Sequence, residues 1–311
     1  MKIIFFGTSN VALPVLELLH QHHDIAAVVT MPDAKSGRKQ ELAESPVGVL
    51  ATEMELKLLK PESVKGNDLF RLELQNMQAD IFVVVSYGKI LPMDIISMPR
   101  YGTVNLHFSL LPKYRGSSPI QAALLNGDAQ TGITIFLLDQ QVDHGPILAQ
   151  ESVVIEPDDN FITLGDRLAR ISAKLLLNTL PNFVEGKIPA TPQEDSEASH
   201  TNIITKQDGK IDWNKTSVEL SNQFRAFYPW PGMWTMWNGK MLKITGCSLG
   251  DLSFSGQSDP SLSGTVMEGC LVVCGQNTFL QINSLQLEGK TETGILDFLN
   301  GYKEFIGSRL E

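Results

Sequence analysis

The first half of the chain alternates short apolar runs with segments of helical periodicity. Lys2–Phe6 precedes a helical pattern over Val11–His20, Ile25–Thr30 precedes one over Pro46–Glu53, and Asp80–Ser86 precedes one over Pro92–Met98. Strand, helix, strand in regular order predicts a doubly wound α/β domain with a mainly parallel sheet covered by helices. Two more strands, Thr103–Phe108 and Gly132–Leu138, flank a helix over Ile120–Asn126. From Phe161 to Val184, Leu164, Leu168, Ile171, Leu175 and Leu176 recur at helical spacing, which predicts a helix that closes the domain.

The pattern breaks after residue 189. Residues 190–205 are rich in Pro, Ser, Thr and acids with no apolar period, and read as a linker between a domain over 1–189 and a second over 206–311. The second opens with a helix over Ser217–Phe227, passes through the aromatic stretch YPWPGMWTMW, and continues in β-rich runs at Met241–Cys247, Leu271–Cys274 and Thr278–Ser284. In the last run Leu280 and Ile282 alternate with Gln281 and Asn283, the period of a half-exposed strand. A small β-barrel is expected, with the five-stranded OB-type barrel one candidate. Tyr228, Trp230, Trp234 and Trp237 are expected to pack a barrel mouth or a domain interface rather than stack on bases.

Composition narrows the class. A chain of 311 residues suits two domains, and 42% hydrophobic with 19% charged residues excludes a disordered or fibrous one. No apolar run approaches the roughly 20 residues of a spanning helix, and Gly7-Thr8-Ser9-Asn10 interrupts the first apolar run before a signal-peptide core could form. Cys247, Cys270 and Cys274 are too few for a disulfide framework, which fits a reduced, cytosolic setting. No second ligand pair follows Cys270-x3-Cys274, so these read as buried apolar residues, and no metal is expected. The net charge of −10 is uneven, residues 1–204 holding 16 basic against 24 acidic side chains and 205–311 holding 9 against 11. Any contact with a phosphate-rich partner must use local patches. Gly7 follows the first strand, but FGTSNVALP lacks the G-x-G-x-x-G spacing of dinucleotide sites, so a tight turn explains it better.

The chemistry concentrates in NLHFSLLPKYRG, residues 105–116. Asn105 and His107 lie two apart on an expected strand, so both side chains leave one face near its carboxyl end, where open α/β sheets bind ligands. An Asn amide can donate to a developing oxyanion, and a His can carry a proton or act as a cationic electrophile, a pairing suited to acyl transfer. If the strand over Gly132–Leu138 lies beside the His-bearing one, a carboxylate in LLDQQVDHGPIL reaches His107 to fix its tautomer and favour its cationic form. Asp143 and Asp139 both qualify, and the residues leave the choice open. His144, beside a glycine in a loop, reads as exposed.

These segments carry a resemblance. FGT at 6–8 with LPVLELL after it, SYGKILP at 86–92, NLHFSLLPKYRGSSPIQ at 105–121, GITIFLLDQQVDHGPIL at 132–148, KQDGKIDW at 206–213, RAFYPWPG at 225–232 and FLNG at 298–301 together resemble the methionyl-tRNA formyltransferases over essentially the whole chain. The motif NxHxSLLPxxRG is specific to the wider folate-dependent formyltransferase superfamily. The resemblance implies a formyltransferase-like fold and a catalytic trio of Asn105, His107 and Asp143. It further implies that Ser109, Leu110, Leu111 and Pro112 help hold the folate, that 10-formyltetrahydrofolate is the donor, and that the acceptor is methionyl-tRNA, also contacted by the C-terminal domain. In this family a basic loop after the second strand meets the acceptor end of the tRNA. Here it reads DAKSGRKQELAE, where Lys35, Arg38 and Lys39 are offset by Asp33, Glu41 and Glu44, less basic than the family's usual loop. The alternatives implied are formyl transfer to a nucleotide-linked amino sugar, or hydrolysis of the same donor. A monomer without membrane attachment is expected.

Overall fold

The computed structural model describes residues 1–36, 41–250 and 260–311. The strands of the first half are β1 (Lys2–Gly7), β2 (Asp24–Val29), β3 (Leu58–Leu59), β4 (Ile81–Val85), β5 (Thr103–His107), β6 (Gln130–Leu137) and β7 (Ile147–Val154). They form one sheet in the order β7-β6-β5-β4-β1-β2-β3. The five strands from β5 to β3 are parallel, while β6 runs antiparallel to β5 and β7 antiparallel to β6. The order turns at the β1–β4 boundary, the point where such sheets leave a crevice at their carboxyl edge. There Thr8 Oγ1 donates to the Tyr87 carbonyl at 2.7 Å and Ser9 Oγ lies 2.8 Å from Ser86 Oγ, so the loops after β1 and β4 are fastened together.

Burial explains why these runs became strands. All five residues of β4, IFVVV, are buried, as a β-branched run with helices on both faces requires. One face contributes Ile4, Phe6, Ala27, Val29, Phe82 and Val84 to a core shared with Phe70 and Leu74, each large side chain contributing about 1.5–3 kcal/mol by leaving water. Gly7 is required by close approach. A Cβ there would come within 2.7 Å of the Phe5 ring and 3.2 Å of the Val85 carbonyl, and its φ is not among the positive ones.

Helices α1 (Leu13–His22), α2 (Pro46–Glu53), α3 (Asp68–Asn76), α4 (Met93–Ile96), α5 (Pro119–Leu125) and α6 (Phe161–Val184) cover or connect the strands. The start of α2 is fixed by its cap, where Ser45 Oγ accepts the Gly48 N–H at 3.0 Å and Pro46 takes the first helical position. The sequence pattern missed α3 and β7. In α3 polar residues outnumber apolar ones, and β7 alternates weakly because it is an edge strand with half its side chains in water.

Contacts divide the chain into two compact units. One comprises 1–119, 130–154 and 164–201, the other 120–129, 155–163 and 202–311. In the C-terminal segment α7 (Ser217–Phe227) is followed by the strands β8 (Met233–Trp237), β9 (Lys240–Leu249), β10 (Leu271–Val273), β11 (Phe279–Leu287) and β12 (Thr293–Gly294) and the helix α8 (Ile295–Gly301). They form a five-stranded antiparallel sheet, in which β8-β9-β11-β10 run in that order and β12 joins β11. The start of α7 is a capping box in which Thr216 and Glu219 satisfy each other's backbone N–H. Trp237 is enclosed edge-on by Phe298, Tyr302 and Phe305, with centroids 5.3–5.7 Å away. Trp234 is partly buried, its indole donating to the Lys206 carbonyl at 3.0 Å. The packing expectation fails for the two aromatics ahead of β8. Tyr228 and Trp230 are 46% and 58% exposed, alternating with Pro229 and Pro231 in the loop between α7 and β8.

Cys270 and Cys274 are buried and Cys247 is partly so. Burial pushes the Cys247 and Cys274 thiols up to about 12, so both are neutral apolar residues at ordinary pH.

Candidate active site

Asn105 and His107 emerge from β5, paired on one side with β4 and on the other with β6, where Asn105 faces Phe136 and His107 faces Thr134. β6 is the expected neighbour, but it runs in the opposite direction. Its end therefore lies beside the start of β5, where Leu138 N donates to the Thr103 carbonyl at 2.8 Å. The loop that follows must return roughly 13 Å along β5 to reach His107, four residues of strand rise. It does so, and Asp143 Oδ2 comes within 3.5 Å of His107 Nδ1. Asp139, the other candidate carboxylate, instead holds His144 Nδ1 at 2.6 Å.

His107 is 5% exposed, and its second nitrogen is engaged as well. Nε2 lies 2.8 Å from the Tyr114 carbonyl oxygen and donates to it, since a carbonyl can only accept. Both ring nitrogens thus face acceptors. Asp143 Oδ2 also accepts the Gly116 N–H at 2.8 Å, which fixes the carboxylate. Asn105 is partly buried, and among the described residues its side-chain amide has no hydrogen-bond partner. The site therefore pairs an unengaged amide donor with a tethered imidazole–carboxylate pair, which can stabilise negative charge developing on a carbonyl oxygen.

The turn after β5 is locked to β6. Thr134, fully buried, donates from Oγ1 to the Ser109 carbonyl at 2.7 Å and accepts the Leu111 N–H at 3.0 Å. Gln150 Nε2 reaches the Leu111 carbonyl at 2.8 Å. Ser109 is itself buried and donates to the Lys113 carbonyl at 2.6 Å, and Leu111 is 3% exposed. Ser109 and Leu111 thus face inward, leaving the main chain with the partly exposed Leu110 and Pro112 as this turn's outward surface.

His144 is not the free loop histidine that its sequence position suggests. It lies between Asp139 and Asp195, the latter 3.5 Å from Nε2, and is only about a quarter exposed. Its hydrogen bond to Asp139 raises its pKa above the ordinary histidine value, with burial opposing the shift and the nearby Asp195 charge adding to it.

Lys35 lies on a short strand, Ala34–Ser36, paired with Glu41–Ala43. Arg38 and Lys39 fall outside the described residues. At the neck of this excursion Lys60 Nζ bonds both Asp33 Oδ1 and Glu44 Oε1 at 2.6 Å. Those two carboxylates, the Asp33 bond first, raise the Lys60 pKa. Two of the three acids that offset the loop's basic residues thus share one cation outside the loop.

Sequence reasoning missed the Tyr114 carbonyl, the Gly116 N–H and Ser199, whose Oγ and carbonyl accept the N–H groups of Tyr114 and Arg115 at 2.9 and 2.8 Å. Main-chain groups leave no compositional signal. Ser199 lies in a segment whose composition marks it only as a connection, although His200–Thr201 pairs with Arg115–Gly116 as a two-residue strand.

The Formyl transferase family model matches residues 1–180, and the model for the formyl transferase C-terminal domain matches 203–303. A methionyl-tRNA formyltransferase of Caldanaerobacter subterraneus subsp. tengcongensis is 42% identical over 303 residues, with 97% of each chain covered. Another, from Dictyoglomus thermophilum, is 38% identical with both chains covered completely. Among solved structures, the N-formyltransferase from Helicobacter canadensis, in complex with folinic acid and dTDP-3-aminofucose, is similar in fold with a TM-score of 0.66. It is 20% identical, with 91% of this chain and 98% of that one covered. With two domain models matched in order and relatives of this identity aligned from end to end, the chain belongs to the formyl transferase family, among its methionyl-tRNA formyltransferases.

Proposed function

We propose that the chain transfers a formyl group from 10-formyltetrahydrofolate to the amino group of methionyl-tRNA, using Asn105, His107 and Asp143. The observation that carries the chemistry is the unengaged Asn105 amide beside the His107–Asp143 pair on one strand. The full-length relatives, which bear that enzyme's name, support the acceptor.

The bound donor supplies a formyl carbon attached to a nitrogen that leaves as the acceptor amine adds. Asn105 donates its amide N–H to the formyl oxygen as that oxygen gains negative charge, and His107 adds positive charge close by. Asp143, held by the Gly116 N–H, keeps the imidazole oriented. The His107 Nε2 proton is committed to Tyr114, so its delivery to the departing nitrogen requires that bond to give way. The outward surface of residues 109–112, through main chain, Leu110 and Pro112, forms part of the wall that holds the folate. Lys35, Arg38 and Lys39 meet the acceptor end of the tRNA.

The test is formyl transfer by the purified chain from 10-formyltetrahydrofolate, measured with methionyl-tRNA, a nucleotide-linked amino sugar and water as competing acceptors. Formyl label on methionyl-tRNA, at a kcat/KM at least 10²-fold above the amino sugar, is expected. Preferential formylation of the sugar, or release of free formate at a comparable rate, would overturn the reading.

A further inference from the structure

We propose that Gln193 is a positioning residue of the active site, acting through Asp143. The inference rests on the role given to Asp143 above. Gln193 belongs to the segment that the sequence reads as a linker, yet its side chain is fully engaged. Nε2 donates to the Asp143 carbonyl at 3.0 Å and to the Gly145 carbonyl at 2.8 Å. Its Oε1 accepts from Arg115 Nε at 3.1 Å and from the same guanidinium's NH2 group at 2.9 Å. Arg115 is 5% exposed and is therefore a rigid anchor. Its neighbour Gly116 supplies the N–H that holds the Asp143 carboxylate. One short segment thus grips Asp143 twice, by its carboxylate through Gly116 and by its main chain through Arg115 and Gln193.

The main-chain grip holds Asp143 at a φ of 50°, a left-handed conformation uncommon outside glycine, although Asp enters it more readily than most side chains. Gly145, two residues on, has no room for a side chain against the Leu137 carbonyl. The loop returning from β6 is therefore bent tightly where it must present a carboxylate to His107. The two donors of one amide group bridge the carbonyls on either side of that bend. Without them the bend can relax, and the carboxylate shifts relative to the imidazole. A misplacement near 1 Å in such a constellation costs up to about 10²-fold in rate.

The test compares Gln193→Ala and Gln193→Glu with Ser196→Ala. The Glu variant keeps the length and the oxygen facing Arg115 while removing both donors, and so retains the anchor if the Ala variant does not fold. Ser196 lies in the same segment but, among the described residues, its side chain bonds only Glu194, so its loss reports general loosening. Two readouts apply, steady-state formylation of methionyl-tRNA and the ring resonances of His107 in the full-length protein by nitrogen-15 NMR. The Gln193 variants are expected to lower kcat about 10- to 100-fold, with KM for donor and acceptor within about twofold, and to shift the His107 ring signals. Ser196→Ala is expected to change neither. Normal kcat in a folded Gln193 variant, a rise in KM alone, or unmoved His107 resonances would overturn the proposal. If the unmodified protein formylates none of the acceptors, the functional reading fails, and the His107 resonances alone decide whether Gln193 positions Asp143.

Discussion

At the scale of single residues, Asn105 and His144 show how two polar side chains near one strand serve different ends. Asn105 has no partner among the described residues, so its amide is available at no structural cost. Asn105→Ala should lower kcat for formyl transfer about 10²- to 10³-fold with little change in folding stability, as expected for one lost oxyanion donor. Thermal melting beside steady-state kinetics checks both halves, and a variant that loses stability instead of rate would place the amide in the fold. His144 is engaged on both sides, by Asp139 and Asp195, with Arg115 bonded to the same Asp195. Its folded pKa is raised, chiefly by the Asp139 bond, so the stability it contributes is complete below the unfolded value of about 6.5. That contribution is lost as pH climbs through the raised folded value. The melting-temperature gap between the unmodified protein and His144→Gln should therefore be widest near pH 6 and close on the alkaline side. The group is partly solvated, so the gap is small.

At the scale of elements, the turn that follows β5 is tied to β6 by one hydroxyl, which also accepts from Gln150 Nε2 at 2.9 Å. Thr134 joins the Ser109 carbonyl to the Leu111 N–H across two strands with no exposure to water. Thr134→Val keeps the shape and leaves both groups without that partner, at about 1–3 kcal/mol. Chemical denaturation should register that loss, and the KM for the folate donor should rise several-fold while kcat changes little. A normal KM in a destabilised variant would remove the turn from the folate wall. Why this lock could not be read beforehand is instructive. Period and apolarity found β1, β2, β4, β5, β6, α2, α6 and α7 within a few residues, because buried strands and amphipathic helices write their contacts into side-chain type. Direction is not written there. Nothing in the run over 132–138 distinguishes a parallel neighbour of β5 from an antiparallel one, and the antiparallel direction sends the Asp143 loop on its long return. The pairing of Asn105 with His107 was legible because it is local. The choice of Asp143 over Asp139 as the neighbour of His107 required tertiary contacts, as did the main-chain anchors at Tyr114 and Gly116.

At the scale of the whole molecule, a net charge of −10 must be reconciled with a polyanionic acceptor. Coulomb repulsion from the body of the protein is screened within a Debye length of about 8 Å at physiological salt, so what counts is the charge within reach of the phosphates. The excursion between Asp33 and Glu44 carries Lys35, Arg38 and Lys39, and by sequence alone its acids nearly cancel them. Lys60 changes that count. It bonds one acid on each side of the neck, which offsets one of their two negative charges and ties the two ends of the excursion to one ammonium group. Replacing Lys35, Arg38 and Lys39 together by Ala should weaken methionyl-tRNA binding and flatten its dependence on salt, by up to about 0.9 log units per lost contact on the duplex-DNA scale. Lys60→Met should weaken binding in the same direction without deleting any of the three loop cations, because it releases Asp33 and Glu44 to face the phosphates. Adding Asp33→Asn and Glu44→Gln to Lys60→Met should restore much of the affinity if charge is the reason, and none of it if the tie at the neck is the reason. Binding titrations of all four proteins against methionyl-tRNA at several salt concentrations separate these outcomes. Unchanged affinity and salt slope in the triple Ala variant would make the excursion a solvated connection and send the search for the acceptor's contacts elsewhere on the chain.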